Sequence, residues 1–146
     1  MKLQKGFTLV ELMIVVAVVA ILAAVSIPAY SDYVRRGKIT EATTALSSLR
    51  VRMEQYYQDN RTYFNGGVCS PWVPLASAPV VKYFNIACVQ GVTVDSYLIT
   101  ATGNGSMNGF SYTIDQSNTK ITVAVPTGWS LPTPNSCWVT KPGGIC

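Results

Sequence analysis

The sequence predicts an α+β fold in which a long N-terminal helix, half membrane-spanning and half amphipathic, packs on a small antiparallel β-sheet. Three observations predict it: an apolar run from Phe7 to Ile27, apolar residues at helical spacing from Ile39 to Tyr56, and three short alternating segments from Ser96 onward. With 146 residues, of which 49% are hydrophobic and 12% charged, the chain has room for one anchor and one compact domain of about 90–120 residues.

The apolar run is long enough to cross a membrane. Twenty-one helical residues rise about 31 Å, and the hydrocarbon core of a bilayer is about 30 Å thick. The single ionisable side chain of the run belongs to Glu11. An acid within such a span costs about 2.5–3.5 kcal/mol on insertion scales, so we interpret Glu11 as a docking residue whose charge meets a partner.

A secretory signal peptide is the alternative interpretation of this segment, because it also begins with lysines, continues with an apolar stretch and ends in small residues. The hydrophobic region of a signal peptide has about 7–15 residues and needs no carboxylate. The present run is longer and contains Glu11 four residues after Phe7, so the match is poor.

The stretch GFTLVEL, which begins at Gly6, resembles the processing site of the type IV prepilins. The resemblance implies that a dedicated prepilin peptidase and methyltransferase cuts the chain between Gly6 and Phe7 and methylates the new amine of Phe7. It also implies that Glu11 helps subunits to assemble. The resemblance is close over residues 1–60, and the later Cys137-Trp138-Val139 is similar to the minor pilins of the PilE type.

The same resemblance divides the chain into three parts. Residues 1–6 are the leader peptide, and residues 7–28 are the transmembrane and assembly helix. Residues 29–146 form the extracytoplasmic head domain, which includes the amphipathic half of the helix. We expect the head to fold as one unit.

Cleavage after Gly6 would place a charge pair near the start of the helix. The new α-amine of Phe7 is mostly cationic at neutral pH, and it lies four residues from Glu11. The two groups can pair within one subunit, and the helix dipole also favours an acid in the first turns. Between subunits the same pair would specify axial register, because Glu11 is satisfied only where another amine lies at its depth.

The amphipathic half of the helix is expected to follow Pro28. Its apolar residues are spaced three or four apart and form a single stripe, which we expect to pack on the sheet. Pro28 lacks a backbone donor and Gly37 adds freedom, so the helix should curve or loosen near both. The stripe consists of Ile39, Ala42, Leu46, Leu49, Met53 and Tyr56.

Beyond the helix, residues 60–91 contain several glycines and prolines and predict a long irregular loop. Three antiparallel strands are then predicted at Ser96–Ala101, Phe110–Asp115 and Ile121–Val125. The tail from Pro126 is again rich in proline and glycine, and we expect it to lie against the sheet edge.

All four cysteines lie on the C-terminal side of the anchor, at Cys69, Cys88, Cys137 and Cys146. An even set in a small domain indicates an oxidising compartment, so we expect the head in the periplasm and the helix in the inner membrane. Basic residues flank both ends of the span, so the positive-inside rule does not decide the orientation of the helix in the membrane. Three pairings are possible, of which we favour the local ones, Cys69–Cys88 and Cys137–Cys146.

The sequence does not indicate an enzyme or a cofactor. Histidine is absent, and the serines at Ser70, Ser96 and Ser136 have no evident base. The cysteines lack the spacing of a zinc site. Calcium, which the similar pseudopilins of type II secretion bind, would have only Asp115 and Asn118 nearby, too few side chains for its six to eight ligands.

The favoured function is therefore structural: a minor pilin-like subunit of a type IV pilus that assembles into or primes a surface filament for adhesion, twitching motility or DNA uptake. Its partners would be other pilin subunits, the peptidase and the inner-membrane assembly machinery, and it would end in the extracellular pilus. A type II secretion pseudopilin is one alternative.

A DNA-binding minor pilin that acts as receptor in natural transformation is the other alternative, although the formal charge of +4 does not by itself indicate nucleic acid. Basic and aromatic side chains could contact phosphates and stack on bases. We nevertheless favour solvated basic residues and core tryptophans. The candidates are Arg35, Arg36, Lys38, Arg50, Arg52, Arg61, Lys82, Lys120, Lys141, Trp72, Trp129 and Trp138.

Overall fold

The computed structural model describes residues 6–65, 68–69, 81–90 and 95–146. The chain divides into two compact units, Met1–Val34 and Arg35–Cys146. Most of the leader, Trp72 and the prolines of the expected loop lie outside the described residues.

One helix, α1, extends from Leu9 to Asn60 and continues through Pro28 and Gly37 without interruption. It ends where Arg61 takes a left-handed conformation with φ 57°, and the Arg61 amide donates to the Tyr57 carbonyl at 2.8 Å. This is the αL type of helix C-cap. By length and composition, α1 is also the described helix that could cross a membrane.

In the N-terminal unit the apolar side chains of α1 are exposed, as Leu12 at 62% illustrates. In the second unit the expected stripe is buried from Ile39 to Met53, whereas Tyr56 is only half-buried. The amphipathic half of the helix is therefore confirmed. The prediction was wrong only for the last residue of the stripe, where the helix nears its end.

The described strands form a hairpin and a four-stranded sheet, and every pair is antiparallel. The four strands of the sheet pair in chain order, which is a meander. The strands are β1 (Phe64–Asn65), β2 (Val68–Cys69), β3 (Phe84–Gln90), β4 (Tyr97–Gly103), β5 (Ser111–Asp115) and β6 (Lys120–Ala124).

The three predicted strands are confirmed as β4, β5 and β6 to within a few residues. Strand β3 is a correction, because it lies inside the stretch that the sequence predicted to be an irregular loop. Burial alternates along this strand: Phe84 is buried and Asn85 exposed, and the next two pairs repeat the pattern less strongly. Because the prolines stop before Val81, the breaker residues do not extend into this strand.

The core of the second unit lies between the helix stripe and one face of the sheet. Tyr97, Ile99 and Ala101 of β4 alternate toward it, as the burial along that strand shows. Large aromatic side chains fill it, and Phe110 meets Trp129 edge to face with ring centroids 4.9 Å apart. This packing provides the apolar burial that a domain of this size needs.

The C-terminal tail lies against the edge strand β6. The Asn135 amide group donates to the Thr122 carbonyl at 2.8 Å and accepts from the Thr122 amide at 3.1 Å. The Thr122 hydroxyl donates to the carbonyl of Cys137 and accepts from the amide of Val139. The tail therefore satisfies polar groups of the edge strand that would otherwise be open to pairing with another chain.

Two disulfides are present, Cys69–Cys88 between β2 and β3 and Cys137–Cys146 within the tail. They are the two local pairs that the sequence favoured. The first ties the segment after the helix to the sheet, and the second closes the tail on itself.

Candidate functional site

The first candidate site is the N-terminal turn of α1, which Thr8 and Glu11 organise. The Thr8 amide and the Thr8 hydroxyl both donate to Oε2 of Glu11 at 2.9 Å. The Glu11 amide in turn donates to the Thr8 hydroxyl at 3.2 Å. This reciprocal pattern is a capping box, and its signature, Thr-x-x-Glu, is readable in the sequence.

The side chains around the capping box are apolar, and the described residues of this unit do not cover them. Phe7 is 88% exposed, and the side chains that follow Glu11 along the helix are exposed as well. Gly6 is exposed as well, and a Cβ at this position would have no described atom within 4 Å. Of the expected site residues, the structure thus brings Gly6, Phe7 and Glu11 together in one exposed turn.

A second polar cluster lies in the core of the head around Glu54. Its carboxylate accepts from the hydroxyl of Tyr63 at 3.2 Å and from the hydroxyl of Tyr97 at 3.2 Å. Burial and the nearby Glu54 charge raise the pKa of Tyr63 to about 12 and raise the pKa of Tyr97 further. The charge of the neighbouring Arg50 acts to lower the pKa of both tyrosines. The buried Nε of Arg50 has no hydrogen-bond partner among the described residues.

Sequence reasoning missed this cluster. Tyr63 is nine residues from Glu54 and Tyr97 is 43 residues away, so no local pattern connects them. The only local signal was an acid and a base, Glu54 and Arg50, at helical i, i+4 spacing on the sheet-facing side.

A third cluster joins helix and sheet around Tyr83. The Lys38 Nζ lies 4.5 Å from the centroid of the Tyr83 ring and donates to the Ser106 hydroxyl at 2.8 Å. The Lys82 Nζ lies 5.4 Å from the same ring. Glu41 fixes the backbone at Lys82 and Tyr83, because its Oε1 accepts hydrogen bonds from both amides.

The remaining nucleic-acid candidates occupy separate places. Trp129 and Trp138 are both core residues, and Trp138 also forms one wall of a groove of about 440 Å³ beside α1. Lys120 lies over the Trp138 ring at 5.0 Å, and the ring nitrogen donates to the Thr113 carbonyl. The hydroxyls of Thr43 and Ser47 line the groove but donate to helix carbonyls, which leaves Lys120 as its charged donor.

The calcium candidates have a local structural role. The Asp115 carboxylate accepts from the Thr119 amide at 2.8 Å, and Asn118 takes a positive φ of 61° in the same turn. Both residues therefore shape the connection between β5 and β6. Among the described residues, no group of three or more acidic, histidine or cysteine side chains could hold a metal ion.

Comparison with known proteins assigns different parts of the chain to two family models. A model described as prokaryotic N-terminal methylation motif matches residues 1–27. A model described as type IV minor pilin ComP, DNA uptake sequence receptor, matches residues 28–118.

Individual relatives are similar over most of the chain. A type IV major pilin protein PilE1 of Neisseria gonorrhoeae is 41% identical over 110 residues, which cover 71% of this chain and 55% of the relative. A type IV major fimbrial protein FimA of Dichelobacter nodosus is 37% identical over 107 residues, which cover 73% of this chain and 63% of the relative. The chain thus spans less than two thirds of the length of either relative.

A solved structure of a type IV pilin from Shewanella oneidensis is also similar. The match has a TM-score of 0.45 and 14% sequence identity, and it covers 66% of this chain and 99% of the other.

Proposed function

Because the chain belongs to the type IV pilin family, a family of structural proteins, we propose that it is a subunit of a type IV pilus, anchored by α1 until it enters the filament. The observation that carries the proposal is the methylation-motif match over residues 1–27, where one acid lies in an exposed apolar helix. Exposed apolar surface of this extent needs either lipid or other subunits to cover it.

The proposal includes processing at the Gly6–Phe7 bond. Removal of the leader exposes a new amine at Phe7, which the prepilin peptidase and methyltransferase would methylate. Mass spectrometry of the mature N-terminus tests this, and the expected result is an N-methylated Phe7. A mature end at Ser26 or Ile27 would instead identify an ordinary secretory signal.

We place the head in the periplasm and the anchor in the inner membrane before assembly, and the whole subunit in the extracellular pilus afterwards. Two disulfides in the head support an oxidising compartment. The partners in this scheme are other pilin subunits and the inner-membrane assembly machinery.

Glu11 has two successive roles in this proposal. In the isolated chain, Thr8 satisfies its carboxylate within the same turn, which reduces the cost of an acid in the anchor. After processing, the cationic amine of Phe7 lies next to Thr8 and competes for the same carboxylate. In the filament, the Phe7 amine of a neighbouring subunit would also bind the Glu11 carboxylate, and this contact would set the axial register between the two subunits.

Glu11→Val tests this assembly role, because it removes the charge and keeps the anchor apolar. We expect the head to fold and the chain to insert, while the amount of this subunit in sheared filaments relative to the membrane falls at least tenfold, the equivalent of about 1.4 kcal/mol. Glu11→Gln should show a smaller loss. Normal incorporation of Glu11→Val would show that packing alone sets the register.

Thr8→Val is the matched control, since it removes the capping box and leaves the Glu11 charge in place. If the charge drives assembly, this variant should enter filaments far better than Glu11→Val. Equal defects in the two variants would mean that the cap, and not the charge pair, is what assembly requires.

A second function, DNA binding, is favoured by one observation: the model described as a DNA uptake sequence receptor matches residues 28–118. We propose that the head binds DNA, with Lys120 beside Trp138 as one phosphate contact. The expected affinity falls with salt, with a slope of about 0.9 for each phosphate contact in a log–log plot. Fluorescence anisotropy of labelled duplex DNA with the full chain in detergent measures this slope.

Lys120→Gln should reduce that slope by about one contact and weaken binding to all sequences alike. Gln55→Ala, an exposed change on the helix, serves as control for general effects on the head. Absence of binding at low salt would refute the second function and leave the filament role intact.

A further inference from the structure

The cluster of Lys38, Lys82 and Tyr83 is not used by either proposed role. Two ammonium groups face one aromatic ring, at 4.5 and 5.4 Å from its centroid. In the described part of the chain these ammonium groups contact the ring and, for Lys38, the Ser106 hydroxyl, and they form no ion pair. Two like charges held on one ring leave a local excess of positive charge that favours an anionic ligand.

Glu41 also lies at this cluster, and its single charge offsets only part of the two positive charges. One of its carboxylate oxygens accepts hydrogen bonds from the backbone amides of Lys82 and Tyr83. The basic patch, defined here as Lys38 and Lys82 with Tyr83, is thus net positive.

The chain itself limits how far this patch can lie from the bilayer. Lys38 is ten positions after Pro28 within α1, a distance of about 15 Å along a helix. The headgroup layer on each side of the hydrocarbon core is roughly 5–8 Å thick. In a subunit anchored by residues 7–28, the helix backbone at Lys38 is therefore no more than roughly 10 Å beyond the headgroup layer.

Two tyrosines mark the membrane interface independently. Tyr30 and Tyr33 follow the span directly and are 70% and 73% exposed. Tyrosine is enriched at the boundary between lipid and water, where its ring is apolar and its hydroxyl is hydrated. The order along the chain is therefore apolar span, interfacial tyrosines and basic residues, as expected for a segment that emerges through headgroups.

We propose that, before assembly, the basic patch binds the phosphate groups of anionic phospholipids in the membrane that holds the anchor. This inference rests on the membrane anchoring proposed above and goes beyond it, because it gives the head its own lipid contact. Entry into a filament would then require the release of these lipids.

The size of the effect follows from the electrostatics of anionic surfaces. Each lysine near such a surface gains a factor of roughly five in association, and the gain falls off within a Debye length of about 10 Å at 0.1 M salt. Lys38 and Lys82 should therefore be protected together in anionic bilayers, and high salt should remove the protection.

The experiment is lysine footprinting of the full chain in nanodiscs of phosphatidylcholine alone or with added phosphatidylglycerol. Brief acetylation followed by peptide mass spectrometry reports the accessibility of each lysine. We expect Lys38 and Lys82 to react roughly fivefold more slowly in the anionic discs. Lys141, in the same molecules, should react equally in both and serve as the internal control.

A charge-matched pair of double variants sharpens the result. Retention of phosphatidylglycerol by the detergent-extracted chain, measured by native mass spectrometry, should fall for Lys38→Gln with Lys82→Gln. It should not fall for Arg61→Gln with Lys141→Gln, two exposed positions elsewhere on the head. Equal retention by both double variants would overturn the proposal.

The remaining outcomes are also decisive. Unchanged reactivity of Lys38 and Lys82 in an inserted chain would overturn the lipid contact alone. Failure of the chain to insert into either type of disc would overturn the anchoring proposal, and the lipid contact with it. If duplex DNA protects these two lysines and phosphatidylglycerol does not, the patch is a nucleic-acid surface and the lipid proposal is wrong.

Discussion

The two halves of α1 use apolar residues in opposite ways. In the unit Met1–Val34 the aliphatic side chains are exposed, with Leu12 at 62%, whereas in Arg35–Cys146 Leu46 of the same helix is fully buried. The stripe of the second half packs on its own sheet. From residue 6 onward, where the structure describes this unit, the first half has no packing partner within it, so its apolar surface is suited to lipid or to other subunits.

Each half also places one acid among apolar groups, and the partners differ in kind. Glu11 is satisfied by Thr8, three residues away, through a local capping box. Glu54 is satisfied by Tyr63 and Tyr97, which only the tertiary fold brings to it. Glu11, whose partner is local, can change that partner without loss of tertiary structure, whereas the half-buried Glu54 keeps its distant partners only while the head is folded.

The largest expected effect contrasts two leucines of the same helix. Leu46→Ala should destabilise the head by about 2–5 kcal/mol, because it removes buried contacts and leaves a cavity. Leu12→Ala should change head stability by less than about 0.5 kcal/mol, since it removes no contact in that unit. Urea unfolding of the full chain in detergent measures the stability of the head in both variants. A similar loss of stability in the two would contradict the difference between the two halves of α1.

The disulfides provide the next effect, because both lie in the head. Replacing Cys69 and Cys88 together by serine should cost about 3 kcal/mol in the chain-entropy model, and removing Cys137–Cys146 somewhat less, because its loop is shorter. Membrane insertion should be unaffected by either change. Insertion that depends on a bridge would show that the two units do not fold independently.

Alkaline pH should act on the head through Tyr63 and Tyr97. Their pKa values are raised above the unfolded value of about 10, so the stability they provide is complete below pH 10 and is lost as pH rises toward about 12. Tyr97→Phe should cost about 1 kcal/mol at neutral pH and make the alkaline loss shallower. Melting temperatures across pH 7–12 test this, with Tyr33→Phe, an exposed site, as the control.

The smallest expected effect is a gain in the stability of the head. Arg61 holds a left-handed backbone conformation at the end of α1, which a side chain with a Cβ disfavours. Arg61→Gly should stabilise the head by about 0.5–1 kcal/mol, and anchor insertion should not change. Destabilisation in the same urea assay would show that the Arg61 side chain makes a contact worth more than the relieved strain.

The sequence predicted those features that depend on neighbours along the chain. Helical spacing identified the buried stripe, and alternation identified β4, β5 and β6. The capping box was also readable, because Thr8 and Glu11 stand at a fixed spacing, although the prediction assigned Glu11 to docking, to pairing with the Phe7 amine and to the helix dipole, and not to a cap. Strand β3 was missed because the many glycines and prolines before it dominated a window in which its own alternation is only seven residues long.

By itself, then, the sequence determined a helix long and apolar enough to span a membrane, the single acid within its apolar run and the order of most elements, and it favoured the local cysteine pairs. Each of these depends on composition or on short spacing. Only the tertiary structure decided which polar groups meet: Glu54 with two tyrosines, Lys38 and Lys82 on one ring, and the tail on Thr122. The reason is physical, because such contacts form between residues far apart in the chain, where packing of the apolar core and the register of the sheet set the distances.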